Sequence, residues 1–349
     1  MNALMPLGLL IGACAAAYWL TAWIRRYAVD RALLDVPNRR SSHSRPTPRG
    51  GGIAIVGPTL AIYDAAGPIG AVPLHSAAAI VVAGVIVAAV GFLDDRNHMP
   101  RRWRLLAHLA AAGCLVWGLG GIPPIEALGT SADGGWMADV AAVLLIAWVV
   151  NLTNFMDGID GLAAVEAISV SLGGLFAYWL SGAAHADWIG PLTLAGAAAG
   201  FLFWNWPPAQ IFMGDVGSGF LGLMMASFAL EAAAADPPLM WSWLILLGVF
   251  VVDASVTLAR RIVRGERFYE AHRSHAYQHA SAFYGAHRPV TIAVLLINGL
   301  WLLPIALLVA AERLDGLVGL VTAYTPLVAA TIRMGGGLPE PRPTRSARV

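Results

Sequence analysis

Asn151, Asn154, Asp157 and Asp160 recur at every third position where the apolar run ADVAAVLLIAWVV, Ala138 to Val150, comes to an end. Continued as a helix, that spacing puts Asp157 and Asp160 on one face and extends the row through the two amides. Oxygen-rich rows of this kind suit Mg²⁺, which keeps several waters and takes one or two carboxylates plus a substrate phosphate. They suit hydrogen bonding to a sugar or a base equally well. Two Asn and two Asp are more than a helix end needs for capping. Ionised groups at a membrane boundary require a partner, water or a metal, so the row marks a candidate site.

Four more polar constellations accompany it. In GFLDDR, Asp94 and Asp95 are adjacent, and helical neighbours point about 100° apart, so one can face a metal or nucleophile while the other meets a basic partner. Paired carboxylates raise each other's pKa, which suits proton transfer or divalent-metal binding. In FMGDVGS, Asp215 follows Gly214 directly before an apolar stretch, as a helix cap or as a ligand. In SRPTPRGGG, Arg45 and Arg49, with Arg39 and Arg40 upstream, stand beside Gly50, Gly51 and Gly52. Guanidinium forks match phosphate oxygens and glycine lets backbone approach a phosphate, although topogenic arginines leading into a span would look the same. In HRSHAYQH, His272, His275 and His279 fall at i, i+3 and i+7, which reads as one helical face. Zinc is conceivable there, but no Cys or fourth ligand accompanies the histidines. Contacts from His272, Arg273 and His275 to a diphosphate are the better reading. His43, His75, His108, His185 and His287 read as surface or packing residues.

The elements that must position these groups are membrane helices. Of 349 residues, 58% are hydrophobic and 12% charged, and the mean hydropathy is +0.67, too little charge to cover a soluble globule of this size. The expected fold is all-α and polytopic, with about 10–11 transmembrane helices. The segments are 3–24, 51–66, 75–93, 103–120, 138–155, 162–181, 186–204, 216–233, 239–259, 289–311 and 314–332. Residues 1–333 form a single transmembrane catalytic domain, and the Pro- and Arg-rich 334–349 a disordered cytoplasmic tail. The first apolar run lacks a positive n-region and reads as a retained span. Trp19, Trp23, Trp103, Trp136, Trp148, Trp188, Trp241 and Trp243 sit near span ends, as an aromatic belt would. Gly196 and Gly200 suggest close helix packing, while Cys14 and Cys114 lie in apolar segments with no disulfide framework.

All 22 basic residues are arginine, and 21 of them fall between Arg25 and Arg49, Arg96 and Arg104, Arg260 and Arg288, or from Arg333 onward. With eleven spans these regions share one side, assigned to the cytoplasm, and the amino terminus is periplasmic. All five polar constellations then fall on the cytoplasmic face, whereas the loops 66–74, 121–137 and 232–238 are chemically bland. An ion-coupled transporter would place its acids near mid-span, where Asp64, Glu231 and Asp253 are the candidates. An intramembrane aspartyl protease would use a Gly-Asp and a second Asp, but leaves the arginine loops and the histidines unexplained. The net charge of +1 says nothing about nucleic acid, and no nucleic-acid partner is expected because no aromatic-interleaved basic patch is present; the basic loops can meet lipid headgroups or a phosphorylated substrate.

In their order, TPRGGG, GFLDDR, NLTNFMDGIDG, FMGDVGS and HRSHAYQ resemble the polyprenyl-phosphate N-acetylhexosamine-1-phosphate transferase superfamily, glycosyltransferase family 4. The resemblance implies transfer of a sugar-1-phosphate from a UDP-N-acetyl sugar to undecaprenyl phosphate on the cytoplasmic face of the bacterial inner membrane, with UMP released. It implies Mg²⁺ as cofactor, with Mn²⁺ as a substitute, and allows a homodimer. On this chain it assigns Asp94, Asp95, Asp157 and Asp160 to catalysis, and Asp215, Asn154 and Asn151 to the metal. Arg45, Arg49, Gly51, His272, Arg273 and His275 are assigned to substrate. HRSHAYQ replaces a run richer in consecutive histidines, and looks more like enzymes that initiate O-antigen with 6-deoxy-N-acetyl sugars.

Overall fold

A computed structural model describes residues 4–37, 45–97, 99–183, 187–266 and 272–339. Arg39, Arg40, His43 and His185 lie outside the described residues. The first half of the chain runs through helices α1 (Leu4–Asp30), α2 (Ile53–Ala66), α3 (Leu74–Asn97), α4 (Arg101–Gly118), α5 (Gly135–Met156), α6 (Leu162–Ser181) and α7 (Ile189–Asn205). The second half contains α8 (Asp215–Ala235), α9 (Pro238–Leu246), α10 (Gly248–Val263), α11 (Ala276–Tyr284), α12 (Arg288–Ile297), α13 (Leu303–Ala310) and α14 (Gly316–Arg333). A π-helical turn, Asn298–Leu302, joins α12 to α13 into one span of 23 residues. Two short antiparallel pairs interrupt the helices: β1 (Leu34–Asp35) with β2 (Thr47–Pro48), and β3 (Ile125–Ala127) with β4 (Thr130–Ala132).

The all-α polytopic expectation holds, and fewer helices than the 10–11 expected pass as spans on length and apolarity alone. Among the described residues, seven helices are long and apolar enough to cross a membrane, and up to eight if α9 and α10, bent by 69°, are one span. With 14 and 17 residues, α2 and α7 reach only about 21 and 26 Å, short of a hydrocarbon core of about 30 Å. In α4 the first turn is spent on Arg101, Arg102 and Arg104. Of these helices, α7 is packed among others along most of its length.

The centre of the bundle is α8, whose residues are nearly all buried, with α3 and α5 against it. Glycines make the approach possible. A Cβ on Gly222 would stand 2.7 Å from the Val149 carbonyl oxygen, and one on Gly91 2.5 Å from that of Asp215. Gly196 and Gly200 serve the same purpose between α7 and α1, where a Cβ on Gly196 would meet the Leu10 carbonyl at 2.6 Å and one on Gly200 would collide with the Cys14 carbonyl. Backbone cannot yield as a flexible side chain does, so Gly200→Ala is expected to destabilise the protein by about 1–3 kcal/mol. A thermal midpoint equal to wild type in detergent would refute that packing.

One tryptophan departs from the expected belt. Trp243 is fully buried beneath Gly174 and against Tyr178 and Phe228, a core residue, whereas Trp19, Trp23, Trp103 and Trp136 are exposed. The described part of the expected tail is turn, with the Gly337 N–H donating to the Ser274 carbonyl at 2.7 Å; residues 340–349 lie outside the described residues.

Candidate active site

The last turn of α3 carries Asp94 and Asp95 and the first residue of α8 is Asp215, so the touching backbones at Gly91 bring three carboxylates together. Gly214, at φ +77°, takes a conformation that L side chains rarely adopt, and a Cβ there would collide with the Asp95 carboxylate. Asp95 caps α8 from outside it: Oδ1 accepts the Asp215 N–H at 3.0 Å and Oδ2 the Val216 N–H at 3.2 Å. These are amides that a helix start leaves without internal partners, and a carboxylate there also meets the positive end of the helix dipole. Asp94 accepts the Met99 N–H at 2.6 Å and pairs with Arg104.

Two guanidiniums knit the acids together. Arg49 reaches Asp95 at 3.0 Å and Asp215 at 3.2 Å, and Arg104 pairs with Asp94 and lies 3.5 Å from Asp215. Burial alone would lower the Arg49 pKa, but the charges of Asp95, Asp215, Asp35 and Asp157 outweigh it and raise it. Arg49 is held in place by backbone pairing between two distant loops. The Phe212 N–H donates to the Pro48 carbonyl, and the amides of Gly51 and Gly52 donate to the carbonyls of Phe212 and Met213. A Cβ on Gly51 would stand 2.6 Å from the Phe201 ring, and Gly52 faces the Gly217 backbone. The Gly51 amide, expected to approach substrate, is thus committed to packing, and its contribution is to deliver Arg49.

The row of four polar side chains divides. The α5 helix ends at Met156, and residues 157–161 are a loop that closes at Gly161 with φ +76°. Asp157 and Asp160 therefore do not share a helical face. Asp157 turns to the acid cluster; burial, and then the Asp215 charge, push its pKa well above the usual carboxylate range. Asp160 turns the other way, where Oδ2 lies 3.1 Å from His287 Nδ1 and accepts the Ala209 N–H at 3.0 Å. Asn154 donates to Ser218 Oγ at 3.3 Å, beside Asp215. Asn151, expected in the metal row, donates to its own helix at Ala147 O (2.7 Å) and bonds His108, which itself feels the charges of Arg104 and Asp94.

Asp160 and His287 line a cavity of about 770 Å³ together with Arg45, Arg273, Arg288 and Phe212. The cavity is open and rich in cationic side chains, which suits a phosphorylated ligand. His272, His275 and His279 do not form one helical face, because α11 begins only at Ala276. His275 is buried against Asp253, with Nδ1 3.4 Å from Oδ1. His272 stacks on His275 at 5.0 Å, and burial, then His275 and Arg261, lower its pKa to about 4. Among the described residues no group of three or more His, Cys, Asp or Glu, histidines and acid cluster alike, is already arranged as a metal site.

For Mg²⁺ the donor chemistry fits. Asp94, Asp95, Asp157 and Asp215 face two guanidiniums, Arg49 and Arg104. Fully ionised, the four carboxylates leave two negative charges uncompensated, the charge of one divalent cation. Oxygen donors from Asp215, Asp157 and Asn154 are the type this ion prefers.

Arg104, His287 and Arg288 join the candidate site; Arg104 and Arg288 were not singled out from the sequence, and His287, read there as a surface or packing residue, instead pairs with Asp160 in the cavity wall. For Arg104 a signal existed, an arginine about three turns after a paired acid at the same membrane boundary. His287–Arg288 carried none, because a two-residue polar step before an apolar helix resembles any helix start.

The model of glycosyl transferase family 4 matches residues 77–233. The probable undecaprenyl-phosphate N-acetylglucosaminyl 1-phosphate transferase of Bacillus subtilis is 31% identical over 283 residues, 80% of this chain and 78% of the relative. The decaprenyl-phosphate N-acetylglucosaminephosphotransferase of Mycolicibacterium smegmatis is 32% identical over 323 residues, 83% of this chain and 79% of the relative. A phospho-N-acetylmuramoyl-pentapeptide-transferase of Rhodopseudomonas palustris is 35% identical over a shorter stretch, 40% of this chain and 48% of the relative.

Proposed function

Because this chain belongs to the polyprenyl-phosphate N-acetylhexosamine-1-phosphate transferase superfamily, we propose that its site moves an N-acetyl sugar-1-phosphate from a UDP-sugar to undecaprenyl phosphate. An oxygen of the lipid phosphate attacks the β-phosphorus, a new phosphoanhydride forms, the α–β anhydride breaks, and UMP leaves with the bridging oxygen. The observation that carries this reading is the surplus-acid cluster of Asp94, Asp95, Asp157 and Asp215, cross-linked by Arg49 and Arg104 beside a cavity lined by Arg45, Arg273 and Arg288.

Both reactants are phosphates, so catalysis is chiefly charge neutralisation and alignment. Mg²⁺ held by Asp215, Asp157 and Asn154 would neutralise the diphosphate. Asp95 spends its carboxylate on the start of α8 and on Arg49, a holding role. Asp94, on the next position, is the acid that orients the acceptor phosphate through Arg104. The donor enters the cavity at Asp160, where Arg45, Arg273 and Arg288 meet its phosphates. His272 and His275 support the Arg273 loop from behind.

The arginine distribution supports a cytoplasmic site and a periplasmic amino terminus in the inner membrane. The HRSHAYQ segment supports a 6-deoxy-N-acetyl donor and a place at the start of O-antigen synthesis. The relatives named above are instead named for N-acetylglucosamine or N-acetylmuramoyl-pentapeptide. Purified protein with undecaprenyl phosphate, Mg²⁺ or Mn²⁺ and a panel of UDP-GlcNAc, UDP-FucNAc and UDP-QuiNAc is expected to release UMP with one donor far above the rest, and to stop on chelation. Inside-out vesicles should accept the donor from the bulk. Release with none of the donors, or release undiminished by chelator, would refute the assignment.

A further inference from the structure

Asp253 is an acid that the site as described leaves unused. It lies within α10, only 5% exposed, where a carboxylate is costly unless it is committed to partners. The commitment is complete. Oδ1 accepts the Ala276 N–H at 2.9 Å and the Thr257 hydroxyl at 3.1 Å, and Oδ2 accepts the Tyr277 N–H at 3.0 Å. With His275 Nδ1 3.4 Å away, Asp253 holds the histidine segment and the first amides of α11 together. It does for α11 what Asp95 does for α8, supplying an N-terminal cap from a different helix.

The fixed end of α11 reaches the candidate site through Tyr277. This ring is 4% exposed and stacks on His275 at 5.7 Å. Its hydroxyl donates to the Phe155 carbonyl at 2.8 Å. Phe155 lies in the last turn of α5, among the carbonyls that a helix end leaves without internal partners, two positions before Asp157. The phenol oxygen also packs against Gly158, where a Cβ would collide with it. Tyr277 therefore sets the direction in which the chain leaves α5 on both sides of Asp157.

We propose that Asp253 and Tyr277 form a positioning relay: Asp253 fixes α11, and the Tyr277 hydroxyl fixes the Asp157 loop against Asp215 and Arg49. The relay acts through other residues and touches no substrate. It rests on the reading of Asp157 as part of the phosphotransfer site.

Tyr277→Phe removes one oxygen and keeps the ring in place. Loosening of the Asp157 loop is expected to lower kcat roughly 10- to 100-fold, with the donor KM and the thermal midpoint close to wild type. Hydrogen exchange of the amides in 155–161 should rise in the substrate-free protein. Asp253→Asn, which keeps an acceptor oxygen, should retain more activity than Asp253→Ala. Unchanged exchange over 155–161, or a wild-type kcat in Tyr277→Phe, overturns the relay. If wild type releases no UMP from any donor, the reaction assigned to the site falls, and the exchange measurement alone decides the relay.

Discussion

Asp215→Asn is expected to lower UMP release by about 10²–10³-fold while leaving the protein folded. Asparagine keeps the size of the side chain and one acceptor oxygen for Arg49 or Arg104, and those two guanidiniums keep Asp95 and Asp94 as partners. What disappears is one negative charge at the meeting point of both arginines, at the residue best placed to hold a divalent cation. Raising Mg²⁺ should not restore the rate, because the defect is in charge and not in occupancy alone. Turnover at the wild-type level in purified Asp215→Asn, with a normal thermal midpoint, would remove Asp215 from the reaction and the metal assignment with it.

Asp95→Ala should act on the fold as well as on the rate. Two amides at the start of α8 lose their acceptor and Arg49 loses its closest carboxylate. Hydrogen bonds to a buried charge are worth about 1.5–3 kcal/mol each, and part of that returns when water or Arg49 rearranges, so a loss of about 2–4 kcal/mol is expected. The measurement is the thermal midpoint in detergent beside UMP release. Asp95→Asn should recover most of the midpoint and less of the rate, since an amide oxygen can still accept from the helix start but pairs weakly with Arg49. If Asp95→Ala melts with wild type, the acid does not hold α8, and the role assigned to it fails.

Much of this site was readable from the chain. The five polar constellations were visible because each interrupts an apolar run, and a membrane makes such interruptions expensive. Asp94, Asp95, Asp157 and Asp215 come together as expected, and Arg49 joins them. The helical row from Asn151 to Asp160 failed because Gly158 and Gly161 let the chain leave the helix, and Gly161 sits at φ +76°. Period-three spacing reports a shared face only while the helix lasts. The glycine triplet was read as a phosphate approach, yet Gly51 and Gly52 are needed where two backbones touch, at Phe212 and Gly217. A glycine's sequence cannot distinguish closeness to a ligand from closeness to another chain segment.

By itself, then, the sequence determined that this is a helical membrane protein, and it marked Asp94, Asp95, Asp157, Asp215 and Arg49 as groups at the ends of apolar runs. Those properties follow from hydropathy and charge, which are local quantities. The tertiary structure alone decided that Asp157 and Asp160 serve different walls, that Asn151 stays with His108, that Arg104 and His287 join the site, and that Asp253 caps α11. Each of these depends on where a helix stops and on what packs across the gap. That is set by long-range contacts such as Gly91 on Asp215 and Asp95 on the start of α8, between segments about 120 residues apart.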